Sequence, residues 1–258
     1  MIKIMSSNIR FNNPADKEHD WNGRRVLLSN VINSFSPDIL GTQEGWEPQL
    51  KDLHSLLENY EISDKHRDWI EDRMYPTLFL KKGIFTIKES GDIWLSETPY
   101  VAASKSFDSA FPRLCTWLKA THISSNLDFM IIDTHLDHLE TSTRQEQIKV
   151  LIKESKKINT TNLPIVLLGD FNESPFNGVR EIIDNSNLGL TDAWLHFNQE
   201  EEASHHGFKG FRKDGTRIDW ILTSKELVPQ SIQLYKESED GIYPSDHFPV
   251  ISEFTIKA

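Results

Sequence analysis

Short apolar runs alternate with amphipathic stretches along the chain, and the two periodicities predict strands interleaved with helices. Lys3 to Asn8 reads as a strand, and the polar segment Asn12 to Asn22 after it reads as a loop. From Arg25 to Phe35, the residues Val26, Leu27, Val31, Ile32 and Phe35 recur at helical spacing, and Ser36-Pro37-Asp38 stops the helix. Ile39 and Leu40 open a strand that runs into Gln43 and Glu44, and Gln49 to Leu57 is again amphipathic.

The middle of the chain turns to strand. Thr77 to Leu80, Phe85 to Ser90, Leu114 to Ile123 and Asp128 to His135 are apolar or β-branched runs divided by polar turns. Leu114, Thr116, Leu118 and Ala120 share one face of their strand, and Cys115, Trp117, Lys119 and Thr121 share the other. Both faces carry bulk, which predicts a strand covered on each side. Thr143 to Ile158 forms a helix with Ile148, Leu151, Ile152 and Ser155 on one stripe. Ile165 to Leu168 is a buried strand entering Gly169, Asn177 to Asn185 a modest helix, Arg217 to Leu222 a strand and Val250 to Ile256 the closing strand. No linker or repeat divides the 258 residues, so one domain over 1–258 is expected.

Composition narrows the class. With 38% apolar and 26% charged residues the chain is that of a folded globular protein. No apolar run approaches the ~20 residues that cross a bilayer, and the opening Met1 to Met5 is too short and strand-like for a signal segment, so a cytoplasmic location is expected. The one cysteine, Cys115, has no disulfide partner and sits in an alternating run, as a core residue would. A net charge of −11 disfavours a surface that wraps a nucleic-acid backbone and tilts the reading toward a small phosphorylated substrate. A basic rim or bound divalent ions would leave nucleic acid possible.

The informative pattern is what stands at the strand ends. Asn8, Glu44, His135, Asp170 with Asn172, Asp219, and Asp246 with His247 all fall there. Any one of them suits a solvated turn; together they make an inventory of carboxylate, amide and imidazole groups without thiolate. Hard divalent cations take such oxygen ligands. Phosphoryl transfer needs donors for the phosphoryl oxygens, which Asn172 and a histidine can provide, and a group that orients or deprotonates water.

The segments Ser7-Asn8-Ile9-Arg10, Gln43-Glu44, Asp133-Thr134-His135-Leu136, Gly169-Asp170-Phe171-Asn172, Arg217-Ile218-Asp219-Trp220-Ile221 and Ser245-Asp246-His247 resemble the ordered motifs of the endonuclease/exonuclease/phosphatase superfamily. The resemblance runs from Lys3 to Phe254. It implies a four-layer α/β-sandwich in the α+β class, two mixed β-sheets packed face to face with flanking helices and catalytic loops at one edge. The run from Gly91 to Leu114 resembles a bacterial, deadenylase-like branch, although Asp72-Arg73-Met74-Tyr75-Pro76 stands where many branch relatives have a Gly-Glu dipeptide before proline.

The resemblance also implies roles. Glu44 is the chief ligand of Mg²⁺ or Mn²⁺, with Asn8 nearby, directly or through water, and Asp246 on the same side. Asp170 orients the attacking water or accepts its proton, and Asn172, sharing a face with it in an extended segment, holds a phosphoryl oxygen. His247 is either the base or, when protonated, a phosphate donor, and Asp219 fixes its tautomer. His135 donates to the phosphate as the leaving oxygen departs.

Three function classes follow: a phosphodiesterase or phosphomonoesterase of a small organic phosphate, a nuclease, and a non-catalytic phosphate-ligand binder. Asn12 to Gly23, Ile93 to Arg113 and His205 to Asp214 are the candidate specificity segments. Arg25, Arg73, Arg113 and Arg144 are candidate phosphate contacts, and Trp94, Phe107, Phe208 and Trp220 candidate stacking groups, each with surface or core packing as the plainer use.

Overall fold

The computed structural model describes residues 1–257. Its twelve strands form two six-stranded mixed sheets. The first has the order β11 (Leu227–Leu234), β12 (Val250–Ile256), β1 (Ile2–Asn8), β2 (Ile39–Gly45), β4 (Tyr75–Lys81), β3 (Tyr60–Ile62). The second has the order β5 (Phe85–Trp94), β6 (Leu114–His122), β7 (Leu127–His135), β8 (Ile165–Asp170), β10 (Asp219–Ser224), β9 (Leu190–Asp192). The helices are α1 (Trp21–Phe35), α2 (Glu47–Leu56), α3 (Thr141–Ile158), α4 (Gly178–Asp184) and the short α5 (Ala193–His196).

Strand alternation decides the layers. Side chains two apart share a face, so Ile4, Ile39, Leu78, Ile131, Val166, Leu168 and Ile221 meet in a core between the two sheets. Their neighbours turn outward. Met5, Leu40 and Phe79 pack with Leu28, Val31, Leu50 and Leu53 of α1 and α2. Met130, Ile132, Leu167 and Leu222 pack with Ile148 and Leu151 of α3 and with Val179 and Ile183 of α4. Burial on both faces is why these strands read as unbroken apolar runs, and the result is the expected sandwich of two sheets between helices. Among the described residues no helix is long and apolar enough to cross a membrane.

The structure corrects several local readings. Helix α1 starts at Trp21, not Arg25, because the Asp20 side chain caps it by accepting from Gly23 N at 2.8 Å. The expected loop before it holds a 3-10 helix, Pro14–His19. Strand β6 is covered fully on its inner face only: Lys119 and Thr121 are half-exposed, whereas Cys115 is buried as expected. Strands β3, β9 and β11 lie at or near sheet edges and were not legible. In β11, Pro229 and a register shift before Ser231 break the alternation, which an edge strand tolerates because one side of its ladder is unpaired.

Candidate active site

Topology gathers the polar residues. Strands β1 and β2 are parallel, as are β7 and β8, so four C-terminal ends share one edge of the sandwich. Strands β10 and β12 run antiparallel to their neighbours β8 and β1, so their starts lie at that same edge. Asp170 is the register partner of both His135 and Asp219, which places three chemical groups in a row across the second sheet. Gly169 permits this: its φ is +141°, and a Cβ there would lie 2.0 Å from the Thr134 carbonyl oxygen.

The first sheet supplies the facing half. Asn8 Nδ2 donates to Glu44 Oε1 at 3.1 Å and to Asp170 Oδ2 at 3.0 Å, bridging the two sheets. Its oxygen accepts from Arg10 N at 2.9 Å, so Asn8 shows the carboxylates its amide nitrogen. Glu44 stands in the left-handed region, φ 70°, where pairing of β2 with β4 shifts register, and its Oε2 accepts from Phe11 N at 3.1 Å.

The two histidines are held in different states. His247 Nδ1 donates to Asp219 Oδ2 at 2.9 Å, leaving Nε2 toward Asp170 Oδ2, 4.0 Å away. Burial disfavours its charge, but Asp219, Asp170 and Asp246 outweigh burial and hold its pKa well above the ordinary value. His135 is backed by a cation. Arg113 Nη1 donates to His135 Nδ1 at 3.1 Å, and a guanidinium cannot accept, so the imidazole proton belongs on Nε2, 3.4 Å from Asp170 Oδ2. Burial, with Arg113, His247 and His138, drives the His135 pKa well below the ordinary value.

Asp170 lies between them. Burial and the neighbouring Asp219 raise its pKa to about 7, against His247, the Asn172 N–H and Asn8. Asp246 is held below the usual carboxylate range: His247, Arg10, His205 and Arg24 overcome the effect of its burial.

All eight predicted site residues reach this edge, but not in the predicted groupings. Ligand atoms of Glu44, His135 and Asp170 lie within 4.8 Å of one another, as do those of His205, Asp246 and His247. Asp246 and Glu44 fall in different triads and line the same cleft. Asn172 is not extended: its φ is 51°, its N–H donates to Asp170 Oδ1 at 2.9 Å and its Nδ2 to Leu136 O at 3.0 Å. The two clusters open into a cleft of about 460 Å³ walled by Phe11, Trp46, Met74 and Phe111.

Of the candidate arginines, Arg113 and Arg73 line the cleft. Arg25 pairs with Asp52 and Arg144 with Glu173. Trp94 and Trp220 are core residues, Trp220 stacked on Phe171 at 4.2 Å, and Phe208 stacks on His19 at 4.6 Å. Two residues were assigned no individual role by the sequence reading. Arg24 is fully buried and donates to the carbonyls of His19, Ile9, Arg10 and Pro244, clasping the loop after β1 to the loop before β12. Its signal was a charge three residues after Trp21 and four before Leu28, on the buried stripe of α1. His205, exposed at the rim, entered that reading only as the first residue of the candidate specificity segment His205 to Asp214.

Residues 5–247 match the endonuclease/exonuclease/phosphatase family. The chain belongs to that family. A family member from Bacteroides vulgatus superposes with a TM-score of 0.91 at 26% identity, covering 99% of each chain. A mannosyl-6-phosphatase from Bacteroides thetaiotaomicron gives 0.86 at 26% identity, over 99% of this chain and 100% of that one. Human Nocturnin is 24% identical across 91% of this chain, which spans 58% of Nocturnin's length. The family, the fold and the clustered carboxylate and imidazole groups are those of a metal-dependent phosphoesterase or nuclease.

Proposed function

We propose that the chain is a Mg²⁺- or Mn²⁺-dependent phosphoesterase that hydrolyses a small organic phosphate by in-line attack of water. The observation that carries the reading is the cleft itself: about 460 Å³, with aromatic walls above a floor of Glu44, Asp170, His135 and His247. Glu44 and Asp170 offer the oxygen donors that fit a hard divalent ion. Such an ion, when bound, supplies charge for the phosphoryl oxygens. Asn8 orients both carboxylates through its amide nitrogen.

Asp170, the acceptor between two imidazoles, orients the water and takes its proton. His135 donates from Nε2 and His247 from its own Nε2, so both stabilise charge on phosphoryl oxygens, with Asn172 beside them. The ester oxygen leaves with the bonding electron pair.

The rim favours a small substrate over a polynucleotide. Arg10 is paired with Asp16 at 2.9 Å, and Arg73 and Arg113, the other arginines that line the cleft, are two cations on its wall rather than a track for successive phosphates. The mannosyl-6-phosphatase among the similar structures points the same way. Exposed Lys209, Arg212 and Lys213 on the loop before β10 are what favours the alternative, a nuclease.

The test is a panel of sugar phosphates, nucleotides, small diesters and single-stranded oligonucleotides with Mg²⁺ or Mn²⁺, run beside His247→Ala. The expected result is turnover of a small ester that the variant lacks. Oligonucleotide cleavage in preference to every small ester, again lost in the variant, would replace the reading with the nuclease.

A further inference from the structure

The cleft holds a second cluster that phosphate hydrolysis as described does not use in full. His205 lines the cleft, its backbone bridged to that of His247 and its ring centroid 4.8 Å from the His247 ring. His205 Nε2 lies 3.9 Å from Asp246 Oδ2. A ring nitrogen of each histidine and a carboxylate oxygen of Asp246 fall within 4.8 Å of one another.

We infer that His205, Asp246 and His247 form a binding site for a nitrogen-preferring transition-metal ion of the Zn²⁺ type, separate from the oxygen-donor site at Glu44. Two imidazoles and one carboxylate are a donor set that such ions take and that Mg²⁺ does not favour.

The surroundings fit. His247 has one nitrogen committed to Asp219 at 2.9 Å, so Nε2 is the nitrogen left for an ion, which binds there with release of the Nε2 proton to solvent. A carboxylate behind a ligating histidine fixes its ring and strengthens it as a donor. Asp246 is held from behind by the Ser245 hydroxyl at 3.3 Å. Bonds of roughly 2.0–2.2 Å in tetrahedral geometry put ligand atoms about 3.3–3.5 Å apart. Closing the 3.9 Å separation to that range takes a small rotation of His205, whose side chain is 45% exposed and free to make it. Arg10 Nε, 3.8 Å from the same Asp246 oxygen, is the competing cation, and Asp16 already holds it.

The site has a consequence for turnover. An ion there occupies Nε2 of His247, the nitrogen assigned to the phosphoryl group, so Zn²⁺-type ions inhibit a reaction that Mg²⁺ supports.

The experiment is a titration of the whole protein with Co²⁺, a spectroscopic substitute for Zn²⁺, in excess Mg²⁺ to saturate the oxygen-donor site. Binding is read from the visible absorption of the ion and by calorimetry, so the result stands apart from whether any ester has been found. Wild type is expected to bind one Co²⁺ with bands of a low-coordinate, imidazole-bound ion. His205→Ala is expected to bind at least tenfold more weakly and to lose those bands, and His205→Cys, which returns a soft ligand, to restore binding with altered bands. Equal Co²⁺ affinity in wild type and His205→Ala, or complete displacement of Co²⁺ by Mg²⁺, would overturn the site.

Discussion

His247→Ala is expected to turn over substrate about 10³-fold more slowly than wild type, within the range of ~10² to 10⁴ set by losing a positioned proton donor. The loss falls on kcat, because the Nε2 proton of His247 meets its partner most strongly as negative charge builds on the phosphoryl group. The variant stays folded, with an unchanged circular dichroism spectrum, since His247 touches the core of neither sheet but sits among Asp219, Asp170 and Asp246. Asp170→Asn loses at least a comparable amount: its one remaining oxygen can keep the hydrogen bond from Asn8, but the ability to take a proton, the charge offered to an ion and the acceptor for Asn172 N–H are all given up. Steady-state kinetics on the ester identified by the panel checks both. A variant within tenfold of wild type would remove that residue from the chemistry.

The largest effect on stability is expected far from the cleft floor. Arg67 is buried and grips Asp92 through two bonds of 2.8 and 2.9 Å, and it also donates to Thr77 of the first sheet at 3.0 Å and to Thr116 of the second at 2.7 Å. Asp92→Asn leaves that guanidinium buried beside a neutral amide, and breaking a buried pair from one side costs about 3–5 kcal/mol. The pH dependence has a definite sign. Burial raises the Asp92 pKa, but Arg67 and His66 more than reverse this and hold it well below the usual 3.8. A depressed carboxylate stabilises the fold above pH 3.8 and loses that contribution as pH falls below it. Urea denaturation should therefore show a wide gap between wild type and Asp92→Asn at pH 7 that narrows on acidification below 3.8. A gap that is absent at neutral pH, or that widens in acid, would contradict the account.

Much of the site was legible because its residues stand where apolar runs stop. A strand buried on both faces leaves only its ends for polar chemistry, so Asn8, Glu44, His135 and Asp170 announce themselves by interrupting such runs. What those groups do to one another was not legible. The amide of Asn8 is aimed by contacts 36 and 162 residues away, and Ser245 holds the Asn8 carbonyl across 237 residues. Local spacing carries no trace of such pairs. Asn172 was misplaced for the opposite reason: spacing of two implies a shared face only in extended backbone, and its φ is 51°. Arg113 shows the same limit. The sequence offers a cation before a strand, and only the fold reveals that it faces His135 rather than solvent.

The Asn8 bridge has one more implication, for how the molecule comes into being. Asn8 and Glu44 ride on one sheet, Asp170 and His135 on the other, and Gln43 joins Asp133 across the same gap at 2.7 Å. Neither sheet alone contains a working set. During refolding from denaturant, recovery of catalysis should therefore lag behind recovery of strand and helix signal and coincide with burial of the shared core. Each molecule that hydrolyses an ester has finished docking its two halves, which makes turnover a clock for the last long-range step of folding.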